Sequence, residues 1–290
     1  MATTTSDLAA LIRTACVLEA SARKPGNVHP DAEFPDLSYR DFVVSAEAVA
    51  VPLSRAAEQG VGQAVLTAIE QTQNRVGKNV NLGIVLLLAP LAAVPRQVPL
   101  QVGIREVLQS LSHTDAVLVY RAIRLARPGG MGRVSEQDIA DDPEGTLLDV
   151  MKLAAERDSI AAQYVQDFSL VLKTGVGYLA DCSDFTETWE SSIIGLALSI
   201  QAEYPDSLIA RKCGWETAVL ASRQAREILK AGWPHATHSR QMIEDFDRWL
   251  RGDGNRRNPG TTADLVTASL FAALRENVIM APQITSNTGN

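Results

Sequence analysis

"LGIVLLLAPLAAV", Leu82 to Val94, is the most apolar run in the chain and the stretch on which the fold turns. A helix that is apolar all round is buried, either in a bilayer or in a protein core. Thirteen residues rising about 1.5 Å each cover roughly 20 Å, short of the ~30 Å hydrocarbon layer, and Pro90 interrupts them. The run therefore predicts a central core helix with other helices packed around it.

Outward from this run, Ala- and Leu-rich stretches carry apolar residues three and four apart. The alternation and β-branched clusters that announce strands are missing. An all-α fold is expected. Leu8, Leu11, Ile12, Ala15 and Leu18 make one face of a first helix, with Ser6 as a plausible N-cap and an end near Ala22. A second starts at Ser38, whose spacing to Asp41 resembles a capping box. Further helices are expected at Val61–Thr72, from Leu82, at Ile104–Leu111 and at Ala116–Ala126. A single long helix should cover Thr146–Leu172, followed by Glu187–Ala202, Ser207–Lys230, Arg240–Leu250 and Thr262–Glu276. The acidic, glycine-rich stretch Ala126–Gly145 reads as a long loop. No linker, low-complexity tract or repeat divides the chain, so residues 1–290 are expected to form a single globular multi-helix domain.

Composition excludes several functions. With 290 residues, 46% of them hydrophobic, the chain can bury a large core. A formal net charge of −7 argues against a nucleic-acid-binding surface, so any basic cluster acts locally. Cys16, Cys182 and Cys213 form no CxxC pair, which speaks against a disulfide framework or a zinc site and for a reducing compartment. The N-terminus lacks the order of a secretory signal. A cytoplasmic protein with no membrane partner is expected, and a homodimer is compatible with the chain.

Polar residues gather at four helix boundaries. "SARKPGNVHPD" (21–31) holds Lys24, Asn27, His29 and Asp31, and Asp36 follows. It can be a plain turn with a local cap, or a phosphate or metal–phosphate loop. "NRVGKNVNLG" (74–83) places Lys78, Asn79 and Asn81 before the apolar helix, whose buried N-terminal N–H groups would attract an anion; Asn81 as an ordinary N-cap is the alternative. In "PDSLIARKCG" (205–214), Asp206 or Ser207 can cap a helix that shows Arg211 and Lys212 one turn on, a pair that is otherwise a solvated face. In "NPGTTADLVTASLF" (258–271), Gly260 and Thr261 open a helix and Asp264 has the spacing of a capping-box acid. With a divalent cation, Asp264 would instead be a ligand. His113, His235 and His238 have no catalytic context and read as surface residues.

Taken in order, these four places resemble the triphosphoribosyl-dephospho-CoA synthase family over most of the chain. Lys24-Pro25-Gly26, then His29 and loosely Asp36-Leu37, resemble its "KPG", histidine and "DM" elements. "VGKNVNLG", "DSLIARKCG" and "PGTTADLVT" resemble three further elements, the last in place of "PGGSADLLA". Asp158 in "ERDSIAAQY" also looks like a family position. The chain departs from the family pattern where "NVNLGIVL" replaces an "NTHKGAIF"-like element and where Thr261-Thr262 replaces Gly-Gly.

The resemblance implies transfer of the triphosphoribosyl group of ATP to dephospho-CoA with release of adenine. ATP is then a substrate and Mg2+ the expected metal. It implies His29, Asp158 and Asp206 as catalytic residues and Asp36 and Asp264 as metal ligands. Lys24, Asn27, Lys78, Asn79, Asn81, Arg211, Lys212, Gly260 and Thr261 would bind substrate. The departures motivate an alternative, ribosyl or phosphoribosyl transfer to another acceptor such as a tetrahydromethanopterin precursor. A non-enzymatic helical scaffold would scatter the polar loops over the surface, whereas an enzyme would gather them at one cleft.

Overall fold

The structure is a computed structural model that describes residues 5–127, 142–182 and 184–282. Among these residues no strand occurs, and the chain forms α1 (Thr5–Ser21), α2 (Tyr39–Ser54), α3 (Ala56–Gln59), α4 (Val61–Val76), α5 (Leu82–Ala93), α6 (Leu100–Ser110), α7 (His113–Ala126), α8 (Leu147–Ala154), α9 (Ser159–Val165), a π-helical segment (Leu170–Gly175), α10 (Val176–Asp181), α11 (Phe185–Glu203), α12 (Ser207–Cys213), α13 (Trp215–Lys230), α14 (Thr237–Arg251) and α15 (Gly260–Arg275). The all-α expectation holds. No described helix is long and apolar enough to cross a membrane.

The apolar run becomes the core helix it predicted. Gly83 to Ala92 of α5 are buried, with α2, α3, α4, α6 and α15 packed around them. Pro90 lacks the N–H that would reach back to the Leu86 carbonyl. Tyr164 of α9 supplies the missing donor, its Oη giving a 2.6 Å hydrogen bond to Leu86 O. α15 is the second central helix, buried from Leu265 to Arg275 and in contact with α1, α5, α10 and α11. α11 divides its apolar residues between two clusters. Ile193, Leu196 and Ile200 face the main core, while Ile194, Leu198 and Ala202 face a smaller cluster built with α12, α13 and α14.

Several boundaries differ from the sequence reading, each for a local reason. α1 already includes Ser6, which therefore is not its N-cap. The expected long helix Thr146–Leu172 is broken: Asp158 caps a new start at Ser159, and Asp167 and Phe168 take left-handed φ values of 50° and 56° before the π-helical segment. Ser207–Lys230 splits at Gly214, whose φ of 89° suits glycine. Ser38 does form the capping box with Asp41, in both directions. Of the expected loop Ala126–Gly145, residues 128–141 lie outside the described residues.

Candidate active site

A cavity of about 970 Å3 opens where the starts of α5, α9, α12 and α15 meet. Each start is built differently. For α5, Asn79 Oδ1 accepts from the Leu82 N–H at 3.2 Å, so Asn79 and not Asn81 satisfies that helix end. Asn81 turns away and donates through Nδ2 to Thr72 Oγ1 at 3.1 Å, leaving its Oδ1 buried with no partner. Asp158 Oδ1 accepts from Ile160 N (2.8 Å) and Ala161 N (3.3 Å) at the start of α9, and its Oδ2 lies 3.6 Å from the Arg211 guanidinium.

Asp206 secures two helices at once. Its Oδ1 accepts from Leu208 N and Ile209 N in α12, and its Oδ2 accepts from Thr262 N (2.7 Å) and Thr262 Oγ1 (2.8 Å) in α15. Burial outweighs these four donors and raises its pKa. Both oxygens of Asp206 are thus engaged in joining two helix starts, and Asp206 lies off the cavity wall. Ser207 Oγ links the same starts, accepting from Ser159 N at 3.3 Å and donating to Thr261 Oγ1 at 3.1 Å. The threonine pair standing in place of Gly-Gly thus finds a partner for each hydroxyl.

α15 begins at Gly260, with Pro259 at its cap position, so Thr261 is not an N-cap and Asp264 closes no capping box. Asp264 instead is half-buried and faces the cavity. Gly83 lets it in: a methyl on that glycine would sit 2.6 Å from Asp264 Cγ and 2.6 Å from Ile160 Cδ1. No hydrogen bond from the described residues reaches its carboxylate. Burial foremost, then Glu19, Asp206 and Asp158, hold its pKa well above the usual carboxylate range, against an opposing effect of Arg211.

Glu19, which the sequence reading missed, shares this wall. It is buried near the end of α1, and its Oε1 pairs with Lys24 Nζ at 2.9 Å. The available signal was an acid among Cys16, Leu18, Ala20 and Ala22, five residues before a lysine. Lys24 also donates to the carbonyls of Glu19 and Ala22 and does not line the cavity. Its ammonium is committed to Glu19 and these carbonyls.

The other expected residues divide. Asn27, Asn79, Asn81, Asp158, Arg211, Lys212, Gly260, Thr261 and Asp264 line the cavity. Lys212 Nζ is held by Asn258 Oδ1 at 3.1 Å, and burial, then Arg211, lower its pKa. Lys78 does not line it; half-exposed, it pairs with Asp41 at 3.0 Å. His29 lies off the wall as well. Its Nδ1 accepts from Asp31 N at 3.3 Å, and burial, then Arg251, lower its pKa, which disfavours the imidazolium a proton donor needs. Asp36 lines a smaller adjoining hollow, separate from Asp264. Among the described residues no three His, Cys, Asp or Glu side chains are grouped to hold a metal.

Away from the carboxylates the wall turns apolar, with Leu86, Val119, Ile123, Leu147, Val150 and Met151. The cavity therefore joins an apolar end to an end with the carboxylates of Glu19, Glu156, Asp158 and Asp264, the cations Arg157, Arg211 and Lys212, and the starts of four helices. The scaffold expectation of scattered polar loops is overturned by this convergence.

Comparison with known proteins identifies the family. The family described as ATP:dephospho-CoA triphosphoribosyl transferase matches residues 5–281. A crystal structure from Archaeoglobus fulgidus, provisionally described as a triphosphoribosyl-dephospho-CoA synthase, superposes with a TM-score of 0.64 at 27% identity. The match covers 81% of this chain and 99% of that one. No curated protein matches the chain at a significant level.

Proposed function

The chain belongs to the ATP:dephospho-CoA triphosphoribosyl transferase family, and from that premise we propose how its cavity carries out transfer of a triphosphoribosyl group from ATP to dephospho-CoA. In this reaction the bond between the anomeric carbon and adenine breaks. A ribose hydroxyl of dephospho-CoA forms the new bond and gives up its proton, and adenine leaves with a proton. Positive charge develops on the migrating ribose between the two events.

The supporting observation is the meeting of Glu19, Asp158 and Asp264 with Arg211 and Lys212 in one cavity. The carboxylate of Glu19, paired from behind with Lys24, suits the cationic ribose. Asp158 commits one oxygen to capping α9 and keeps Oδ2 toward Arg211, which leaves it placed to take the acceptor's proton. Arg211 and Lys212, with the start of α5, hold phosphate oxygens. The apolar end keeps water from capturing the migrating ribosyl group.

The donor set suits magnesium. Mg2+ characteristically takes one or two carboxylates and fills its shell with water and substrate phosphates. Asp264 offers a carboxylate without hydrogen-bond donors, open to the cavity beside other acids, a setting that calls for a cation or a proton. When bound, the ion neutralises polyphosphate charge that the few local cations leave uncompensated. Asp264 would hold it, and Asp36 would not share it across the cavity wall.

The deciding experiment is chromatographic measurement of adenine released from ATP with magnesium, with dephospho-CoA present or omitted. Release that depends on dephospho-CoA is expected. Tight binding of ATP with dephospho-CoA left untouched would overturn the acceptor.

A further inference from the structure

The hollow beside the cavity has a volume of about 450 Å3 and is lined by Asp36, Arg211, Lys212, Asn255 and Arg256 among others. Arg211 and Lys212 line both spaces and so form a cationic partition between them. On the outer side, the loop after α14 turns through Asp253, Gly254 and Asn255, all at left-handed φ (68°, 62° and 62°). That turn brings Arg256 onto the end of α12, where its guanidinium donates to Lys212 O at 2.7 Å. One further contact, 3.8 Å to Asp253, leaves the side chain 61% exposed with donors to spare.

Arg211 and Lys212 present their charge to both sides of the partition. Inward they face Glu19, Glu156, Asp158 and Asp264, with Arg157 as a further cation. Outward they stand with Arg256, against Asp36 in the lining and Asp253 beside Arg256. This is a local cationic excess in a chain whose net charge is −7. Both substrates of the family reaction carry polyphosphate chains, and both must bring a ribose up to the carboxylate end. With one phosphate chain held inside the cavity, the other is drawn to the cations on the outer side of the partition.

We propose that the hollow is a second polyphosphate-binding subsite, in which Arg211, Lys212 and Arg256 receive the phosphate chain of one substrate while its ribose reaches over the partition into the cavity. The identity of the occupant rests on the transferase reading; the affinity for polyphosphate does not. Inorganic tripolyphosphate is the probe, titrated calorimetrically into the wild type, Arg256→Ala and Asn255→Asp, with parallel titrations of ATP and dephospho-CoA. Arg256→Ala removes a charge-assisted contact and should weaken tripolyphosphate about tenfold. Asn255→Asp keeps shape and left-handed tolerance but adds a negative charge, and should weaken it about threefold. Thermal melts check that both variants stay folded.

The substrate that loses affinity in step with tripolyphosphate is the occupant. If both variants bind tripolyphosphate as tightly as the wild type, or if neither substrate shares the loss, the subsite is refuted. A wild type that binds tripolyphosphate through Arg256 yet releases no adenine refutes the transferase reading and leaves the subsite standing.

Discussion

Gly83→Ala separates local helix physics from the demands of the site. Gly83 lies in the first turn of α5, and alanine there favours the helix by up to about 1 kcal/mol. Tertiary structure opposes the change. The added methyl would meet Asp264 Oδ2 first and stand 2.6 Å from both Asp264 Cγ and Ile160 Cδ1, where carbon contacts settle near 3.5–4.0 Å. Asp264 and Ile160, or α5 itself, must therefore retreat by at least about 1 Å. Overpacking of this kind costs about 1–3 kcal/mol, so the net loss of stability should be about 0–2 kcal/mol and the variant should fold. Activity should suffer far more, because a displacement near 1 Å of a positioning group can cost about a hundredfold in rate. The assay is dephospho-CoA-dependent adenine release, with circular dichroism melts alongside. An expected result is kcat/KM down about a hundredfold with a near-native melt. A folded variant within twofold of wild-type activity would refute the role given to Asp264.

Three further outcomes concern residues in and behind the cavity wall. Tyr164→Phe strands the Leu86 carbonyl, since Pro90 has no N–H to offer, and should cost about 1–3 kcal/mol, seen as a lower melting temperature; an unchanged melt would refute the compensation. Asp206→Ala removes the acceptors at two helix starts and should cost about 1–4 kcal/mol in urea unfolding, whereas undiminished stability with lost activity would return Asp206 to a chemical role. Because burial raises the Asp264 pKa, the folded chain holds this proton to higher pH than the unfolded chain. Its contribution to stability is full below the unfolded value of about 3.9 and is lost as pH rises through the raised folded value. In metal-free urea melts Asp264→Asn, neutral at every pH, should therefore gain on the wild type as pH rises from about 5 to 9, and parallel curves would refute that linkage.

Helices were legible wherever one apolar face recurs, as in α1 and α2, or where the run is apolar all round, as in α5. The capping box at Ser38 could be read from four consecutive residues. The breaks at Asp158 and Gly214 were not read, because the apolar period runs on through both while a side-chain cap and a left-handed glycine restart the backbone. Site residues divide similarly. The four polar loops carried chemistry-bearing residue types and were found. Which of those residues reach the cavity was not visible, since Lys24 and Asp206 spend their hydrogen bonds behind the wall.

The order of residues alone determined that this chain buries a helical core around Leu82–Val94, and which four loops hold its polar chemistry, because period and composition are local properties. Only the tertiary structure decided that Glu19 joins the site, that Lys24 and Asp206 support it from behind, and that His29, Lys78 and Asp36 lie off the cavity wall. Those outcomes depend on which helix starts meet in space and on which charges burial forces to pair, and neither is encoded within any one stretch.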